Sequence, residues 1–106
     1  MIYAIDFDGT LCEDKYPEIG EPNQPLIDFL KSEQQNGAEL ILWTMRGGKL
    51  LYNAIYWCHD LGLEFDAIND NILHLQEKFG NNPRKVYADR YIDNHNYNPI
   101  LPGETS

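Results

Sequence analysis

The sequence has few cysteines and few basic residues, and it contains no long apolar run. Its two cysteines, Cys12 and Cys58, are too few for a disulfide framework and have no metal-ligand spacing, which favours a reduced, cytoplasmic protein. No apolar stretch approaches the ~20 residues that a transmembrane helix requires. The first residues lack the basic segment of a signal peptide, and Asp6 interrupts their apolar run. We therefore expect neither a membrane anchor nor a secretion signal.

The charge balance is strongly acidic. Eight lysines and arginines stand against 17 aspartates and glutamates, which gives a formal net charge of −9. Because nucleic-acid binding depends on lysine and arginine contacts to phosphates, a nucleic-acid partner is not favoured. The 106 residues contain no repeats and no low-complexity tract, so we expect a single domain over residues 1–106, in which residues 95–106 form a loop tail.

Strand patterns and helix patterns alternate along the chain. Patterns typical of strands cover residues 2–7, 39–43, 64–69 and 85–94, and patterns typical of helices cover residues 23–36, 47–62 and 69–80. The segment between the first strand and the first helix is expected to be a polar loop. The alternation predicts βαβ units, and therefore an α/β fold whose mainly parallel sheet carries helices on its faces.

Reactive side chains stand at the points where the predicted strands end. Asp6 and Asp8 end the first strand, Thr44 ends the second, and Asp93 with Asn94 ends the last. In parallel sheets, ligands bind beyond the carboxyl ends of the strands. If the first strand is central, the three strand ends therefore meet at one place.

The chemistry of these groups points to a metal ion and a phosphate. Crowded carboxylates require a positive charge among them. Oxygen ligands without a cysteine or histidine cluster suit a hard cation such as Mg²⁺, which leaves room for a substrate phosphate. A carboxylate that attacks phosphorus forms an aspartyl-phosphate, and a second carboxylate can exchange protons with the leaving group and water.

Three stretches resemble the motifs of the haloacid dehalogenase-like (HAD) phosphohydrolases. "DFDGT" matches the DxDGT signature of that superfamily, "LILWTMRG" is similar to its second motif, and "YIDN" is similar to its fourth. The resemblance extends from residue 2 to about residue 95. It implies a three-layer Rossmann-like domain and a Mg²⁺-dependent phosphatase that acts on a phosphorylated substrate.

The resemblance also implies roles for individual residues. Asp6 would be the nucleophile and a metal ligand. Asp8 would be the general acid and base, with its backbone carbonyl on the metal. Thr44 would hydrogen-bond the phosphoryl group, and Asp93 would complete the Mg²⁺ site. Thr44 could instead cap the helix that follows it.

Further groups around the site would hold phosphate oxygens. Gly9 permits a sharp turn after the acidic pair, and backbone N–H groups around Gly9, Met45 and Arg46 could cradle the phosphate. The Arg46 side chain could contact the phosphate or lie solvated in a loop. The third motif of the family is a lysine, for which we choose Lys85.

Two assignments have competitors within the sequence. Lys78 and Arg84 are alternatives to Lys85, which stands closer to the last strand than the family's lysine usually does. Asp89 competes with Asp93 because the two imitate a spaced "DxxxD" form of the fourth motif. We prefer Asp93 with Asn94, since Asp93 follows an apolar pair and Asp89 would lie earlier in the strand, away from the metal.

The spacing of the motifs leaves no room for a cap domain. About a dozen residues separate Thr10 from the helix that begins near Asn23, which is too few for a folded cap. The chain therefore resembles a capless member, in which a second subunit of a homo-oligomer can cover the site.

Two other functions are compatible with the same residues. Receiver domains of response regulators combine acidic residues, Thr and Lys around Mg²⁺, but they carry the phospho-acceptor after the third strand, where this chain offers only Asp66, Asn69 or Asp70. The protein could also be a metal-binding module without turnover.

Overall fold

The computed structural model describes residues 1–70 and 88–93 of the chain. In chain order the elements are β1 (Ile2–Ile5), β2 (Cys12–Lys15), β3 (Glu18–Pro22), α1 (Gln24–Gln35), β4 (Glu39–Leu42), α2 (Gly48–Asp60), β5 (Ala67–Ile68) and β6 (Arg90–Ile92). The predicted helix over residues 69–80, most of the predicted strand before Arg90 and the tail lie outside the described residues. Among the residues described, no helix is both long and apolar enough to span a bilayer.

Strands β1, β4, β5 and β6 form one parallel sheet in the order β5-β4-β1-β6. β1 is central: Tyr3 is in register with Leu40 on one side and with Arg90 on the other. The chain thus moves outward from β1 through β4 to β5 and then continues on the far side of β1. This order creates a topological switch point between β1 and β6, and it confirms the expected α/β, Rossmann-like fold.

Side chains on both faces of β1 are buried, which explains why its sequence is apolar without alternation. On one face, Tyr3 and Ile5 share a core with both described helices. On the other face, Ile2, Ala4 and Ile41 form a smaller buried cluster. Two helices on the same face are what right-handed crossovers produce when successive strands are added in one direction.

Helix α1 has the boundaries that its sequence predicts. The Asn23 side chain caps it by accepting a hydrogen bond from the Leu26 N–H at 3.4 Å, and Gly37 takes the left-handed conformation after its end, with φ of 96°. The predicted apolar stripe is buried: Leu26, Ile27, Phe29 and Leu30. Full burial of one such leucine side chain contributes about 2 kcal/mol, so packing rather than intrinsic propensity holds this helix in place.

The two cysteines belong to the core. Cys12 and Cys58 are both free and buried. Burial raises the pKa of the Cys12 thiol, and it raises the pKa of the Cys58 thiol to about 12. Both groups therefore stay protonated near neutral pH and act as small apolar side chains.

The expectation of a polar loop before α1 is wrong. Strands β2 and β3 form an antiparallel hairpin whose turn residues, Tyr16 and Pro17, are joined by a cis peptide bond. The hairpin could not be predicted from the sequence because most of its side chains face solvent. Its strands therefore lack the alternation of apolar and polar residues that indicates a strand. The hairpin directly follows the "DFDGT" segment.

Close packing inside the hairpin makes Gly20 necessary. A Cβ at this position would lie 2.6 Å from the Glu13 carbonyl oxygen and 2.7 Å from the Glu13 Cβ. We expect Gly20→Ala to lower the free energy of unfolding by about 1–3 kcal/mol, because the neighbouring strand must shift. Urea titration measures the change. Glu21→Ala, an exposed substitution in the same strand, is the control and should stay within about 0.5 kcal/mol; equal effects of the two variants would contradict the packing argument.

Candidate active site

Three strand ends meet at the carboxyl edge of the sheet. Asp6 follows β1, and its N–H donates to the Ile92 carbonyl oxygen at 2.8 Å, which places Asp6 beside the start of the segment that holds Asp93. On the other side, the Trp43 N–H donates to the Ile5 carbonyl oxygen at 2.8 Å, and Thr44 comes next. The sheet therefore brings Asp6, Thr44 and Asp93 to one edge, as the sequence predicts for a central first strand.

Asp89 lies at the opposite edge. Its carboxylate accepts a hydrogen bond from the Ile2 N–H at 2.7 Å, and its own N–H donates to the Ile2 carbonyl oxygen at 2.8 Å. Asp89 thus fixes the amino ends of β1 and β6. This placement agrees with the register in which Asp93, rather than Asp89, belongs to the candidate site.

The Asp6 carboxylate is held in place by the backbone. Its Oδ1 accepts a hydrogen bond from the Phe7 N–H at 2.8 Å. Gly9 follows with φ of 82°, a conformation that favours glycine, and its N–H donates to the Cys12 carbonyl oxygen at 3.0 Å. The turn after Asp8 therefore leads directly into the hairpin, and the Gly9 N–H is engaged there rather than turned to the open edge.

Asp8 forms a two-pronged ion pair with Arg46. The Arg46 Nε donates to Asp8 Oδ2 at 2.8 Å and Nη2 donates to Oδ1 at 2.7 Å. The Arg46 side chain is 1% exposed and that of Asp8 is 19% exposed. Such fork-to-fork contacts combine charge with fixed geometry. The pairing also raises the pKa of the Arg46 guanidinium, which keeps its charge.

The remaining donors of Arg46 reach the backbone around it. Nη1 donates to the carbonyl oxygens of Pro17 at 3.2 Å and Leu50 at 3.4 Å, and Nη2 donates to that of Glu18 at 3.0 Å. All five N–H groups of the guanidinium are therefore used. Arg46 joins Asp8, the turn of the hairpin and the first turn of α2.

Aromatic rings enclose the same guanidinium. Its central carbon lies 5.0 Å from the centre of the Phe7 ring and 5.1 Å from that of Tyr16. Both distances are within the range of cation–π attraction. The hypothesis that Arg46 is a solvated loop residue is therefore wrong, and its side chain offers no unused N–H to a phosphate in this arrangement.

Thr44 is not a helix cap. The N-cap position of α2 is Gly47, which has no side chain to cap with. The Thr44 Oγ1 instead accepts a hydrogen bond from the Arg46 N–H at 3.1 Å. Because that bond uses a lone pair, the hydroxyl proton remains able to donate to a ligand. Met45, between the two residues, has a fully exposed side chain, and across residues 1–70 and 88–93 no acceptor pairs with its N–H.

Asn69 positions Thr44, a role that the sequence pattern did not predict. Its side-chain oxygen accepts a hydrogen bond from the Thr44 N–H at 2.7 Å, and its φ of 52° is positive. Asparagine is one of the few residues that adopts this conformation readily. The available signal was an asparagine at the end of a short predicted strand.

The acidic side chains do not form a ready-made metal cluster. Within the described part of the chain, no group of three or more histidine, cysteine, aspartate or glutamate side chains is arranged to hold a metal. Asp8, one of the acidic residues expected in the site, turns its carboxylate to Arg46. The Asp6 and Asp93 carboxylates with the Asp8 backbone carbonyl would form an all-oxygen set of the kind that suits Mg²⁺, which often binds one or two carboxylates and keeps several waters. Lys85, its alternatives Lys78 and Arg84, and Asn94 lie outside the described residues.

The stability of the site should depend on Arg46. We expect Arg46→Ala to lower the free energy of unfolding by about 3–5 kcal/mol, because it leaves a half-buried carboxylate and three carbonyl groups without their donor. Arg46→Lys should recover only part of the loss, since an ammonium cannot reproduce the planar fork. Urea unfolding measures both. Lys49→Ala removes an exposed cation nearby and should cost less than about 0.5 kcal/mol. An equally small loss for Arg46→Ala would contradict the conclusion that Arg46 joins Asp8, the hairpin and α2.

No family model and no curated protein matches the chain. Among solved structures, that of the conserved protein coded by a locus from Bacteroides thetaiotaomicron is similar to it, with a TM-score of 0.78 and 45% sequence identity. The match covers 91% of this chain and 77% of the other. Identity at this level over most of both chains, together with the shared fold, shows common descent. The chain therefore belongs to the same family as this conserved protein of Bacteroides thetaiotaomicron.

Proposed function

We propose that the protein is a Mg²⁺-dependent phosphomonoesterase of the HAD type that forms an aspartyl-phosphate on Asp6. The observation that carries the proposal is the meeting of Asp6, Thr44 and Asp93 at the carboxyl edge of the sheet, around its central strand. Asp6 and Asp93 lie on the two sides of the switch point, where open α/β sheets bind ligands. The "DFDGT" sequence supports the same reaction through its resemblance to the family's signature.

Asp6 would act as the nucleophile. One of its carboxylate oxygens attacks phosphorus, the new O–P bond forms, and the bond from phosphorus to the leaving oxygen breaks. The carboxylate suits this role because β1 and the Phe7 N–H fix it, so that little orientational freedom is lost in the transition state. Water then attacks phosphorus, and the bond to Asp6 breaks.

Asp8 would move the protons. It donates one to the leaving oxygen and later accepts one from the attacking water. In this structure both of its carboxylate oxygens are held by Arg46, so at least one must leave the guanidinium to reach the substrate. Rotation of the Asp8 side chain would achieve this without movement of β1.

Mg²⁺, when bound by Asp6, Asp93 and the Asp8 carbonyl, would supply positive charge that offsets the repulsion between the carboxylates and the phosphate. Thr44 would donate its hydroxyl proton to a phosphoryl oxygen, and the Met45 N–H would donate to another. Lys85 stays our choice for the remaining cation. These donors act on charge that develops on the phosphoryl oxygens during transfer.

The order of strands argues against the receiver alternative. Numbered along the chain, the parallel strands lie in the order 3-2-1-4. Receiver-type sheets begin 2-1-3, with the third strand next to the first. In addition, Asp66 lies at the amino end of β5, where its carboxylate accepts a hydrogen bond from the Leu40 N–H at 2.8 Å. It is therefore placed to fix the strand rather than to accept a phosphoryl group.

The metal requirement is the first test. Hydrolysis of an aryl phosphate should need Mg²⁺ and stop in excess EDTA, because the carboxylates and the phosphate then repel one another. Asp93→Asn should weaken Mg²⁺ binding by at least tenfold in calorimetry, whereas Asp89→Asn, which keeps an oxygen acceptor for the Ile2 N–H, should leave it unchanged. Undiminished hydrolysis in EDTA would refute the proposal, and Mg²⁺ binding without any turnover would favour a non-catalytic metal module.

The nucleophile is the second test. Asp6→Asn should abolish hydrolysis without a large loss of stability, because a neutral amide cannot attack phosphorus. In the wild-type protein, rapid acid quenching of turnover with an aryl phosphate labelled in its phosphoryl group should trap the label on the peptide that contains Asp6. Asp8→Asn should still form that adduct from a good leaving group but release phosphate slowly, since the base that activates water is missing. Label on Thr44 or Asp8 would contradict this mechanism.

A further inference from the structure

An open groove lies between the turn of the hairpin and the outer face of α2. It has a volume of ≈ 490 Å³ and is lined by Pro17, Glu18, Ile19, Leu50 and Asn53. Three of these residues belong to the hairpin and two to the helix. Nothing in the proposed phosphoryl chemistry uses any of their side chains.

The groove adjoins Asp8 through Arg46. The guanidinium donates to Asp8 with one edge and to the carbonyl oxygens of Pro17 and Leu50 with Nη1. Those two residues stand in opposite walls of the groove. A single buried side chain thus fixes the distance between the walls and holds both of them next to the group that would protonate the leaving oxygen. A leaving group that extends from Asp8 past the guanidinium would reach this groove.

The lining predicts the chemistry of the occupant. Ile19, Leu50 and the Pro17 ring offer apolar surface, and Asn53 offers an amide for a single polar contact. Glu18 is exposed and places one of the acidic charges of a chain with a net charge of −9 beside the groove. A second phosphate or a carboxylate in the groove would be repelled. A volume of ≈ 490 Å³ falls in the range of small-molecule sites.

We propose that this groove binds the alcohol portion of the substrate and selects phosphomonoesters of uncharged, apolar ring alcohols. The inference rests on the proposed function for its link to catalysis, but binding in the groove does not require turnover. It makes Ile19, Leu50 and Glu18 specificity-determining residues, with Arg46 as the residue that positions the walls.

Two aryl phosphates with leaving groups of similar acidity test the apolar contact. 2-Naphthyl phosphate should exceed phenyl phosphate in kcat/KM by about tenfold, because its second ring adds apolar contact with the walls. Leu50→Ala and Ile19→Ala should each reduce this ratio to about threefold or less. The ratio is an internal reference, so a partial loss of folded protein does not change it. Tyr56→Ala removes an exposed apolar side chain of the same helix outside the groove and should keep the wild-type ratio.

A charged probe tests the role of Glu18. The wild-type protein should hydrolyse 4-carboxyphenyl phosphate less efficiently than phenyl phosphate, and Glu18→Gln should bring the two values closer by about two- to threefold. This substitution keeps the backbone carbonyl that Arg46 binds. Unchanged ratios in the Glu18, Leu50 and Ile19 variants alike would overturn the proposal.

Binding without turnover separates this inference from the proposed function. Titration with 2-naphthol should shift the methyl NMR signals of Leu50 and Ile19 and leave those of Leu40, in the buried sheet, unchanged. Such shifts in a protein that hydrolyses no phosphate ester would support the groove and refute the phosphatase proposal. Hydrolysis with no response of the two wall residues would do the reverse.

Discussion

The contact between Arg46 and Asp8 holds three segments together beyond the carboxyl ends of the sheet strands. One guanidinium satisfies a carboxylate from the turn after β1, two carbonyls from the hairpin and one from α2. The same segments also meet in the core, where the Phe7 ring of the turn packs edge-on against the Trp57 ring of α2 at 5.5 Å. Because the guanidinium is buried and each of its donors is used, a shift of the hairpin would leave polar atoms unpaired.

The same contact places Asp8 under two competing demands. As a partner of Arg46 it stabilises the fold around the site, whereas as the proposed proton carrier it must turn toward the substrate. Conflicts of this kind are common where function and stability use one residue. A bound substrate could offset the lost hydrogen bonds by giving Asp8 a new partner, so the resting ion pair need not prevent catalysis. In the proposed mechanism, the ion pair would contribute to the free energy that the Asp8 carboxylate needs in order to turn toward the substrate.

The fold could be predicted from sequence because its signals are local. The apolar run of β1, the Asn23 cap of α1 and the left-handed Gly37 after its end each depend on a few neighbouring residues. The hairpin was missed because it contributes little to the core, and the partner of Arg46 was missed because Asp8 stands 38 positions away. No pattern within a single segment records that contact. The meeting of Asp6 and Asp93 could be predicted although the two residues are far apart in sequence. The reason is that the carboxyl ends of parallel strands lie at the same end of the sheet.

The central position of β1 also governs the order in which the protein can fold. Its first neighbour, β4, follows within 40 residues, but its second neighbour, β6, begins only at Arg90. Until β6 arrives, one edge of the most apolar strand lacks its partner and is open to pairing with other chains. Sheets with such distant pairings fold slowly. During synthesis on the ribosome, the carboxylates of Asp6 and Asp93 can therefore come together only after the segments that form α1, β4 and α2 have been made.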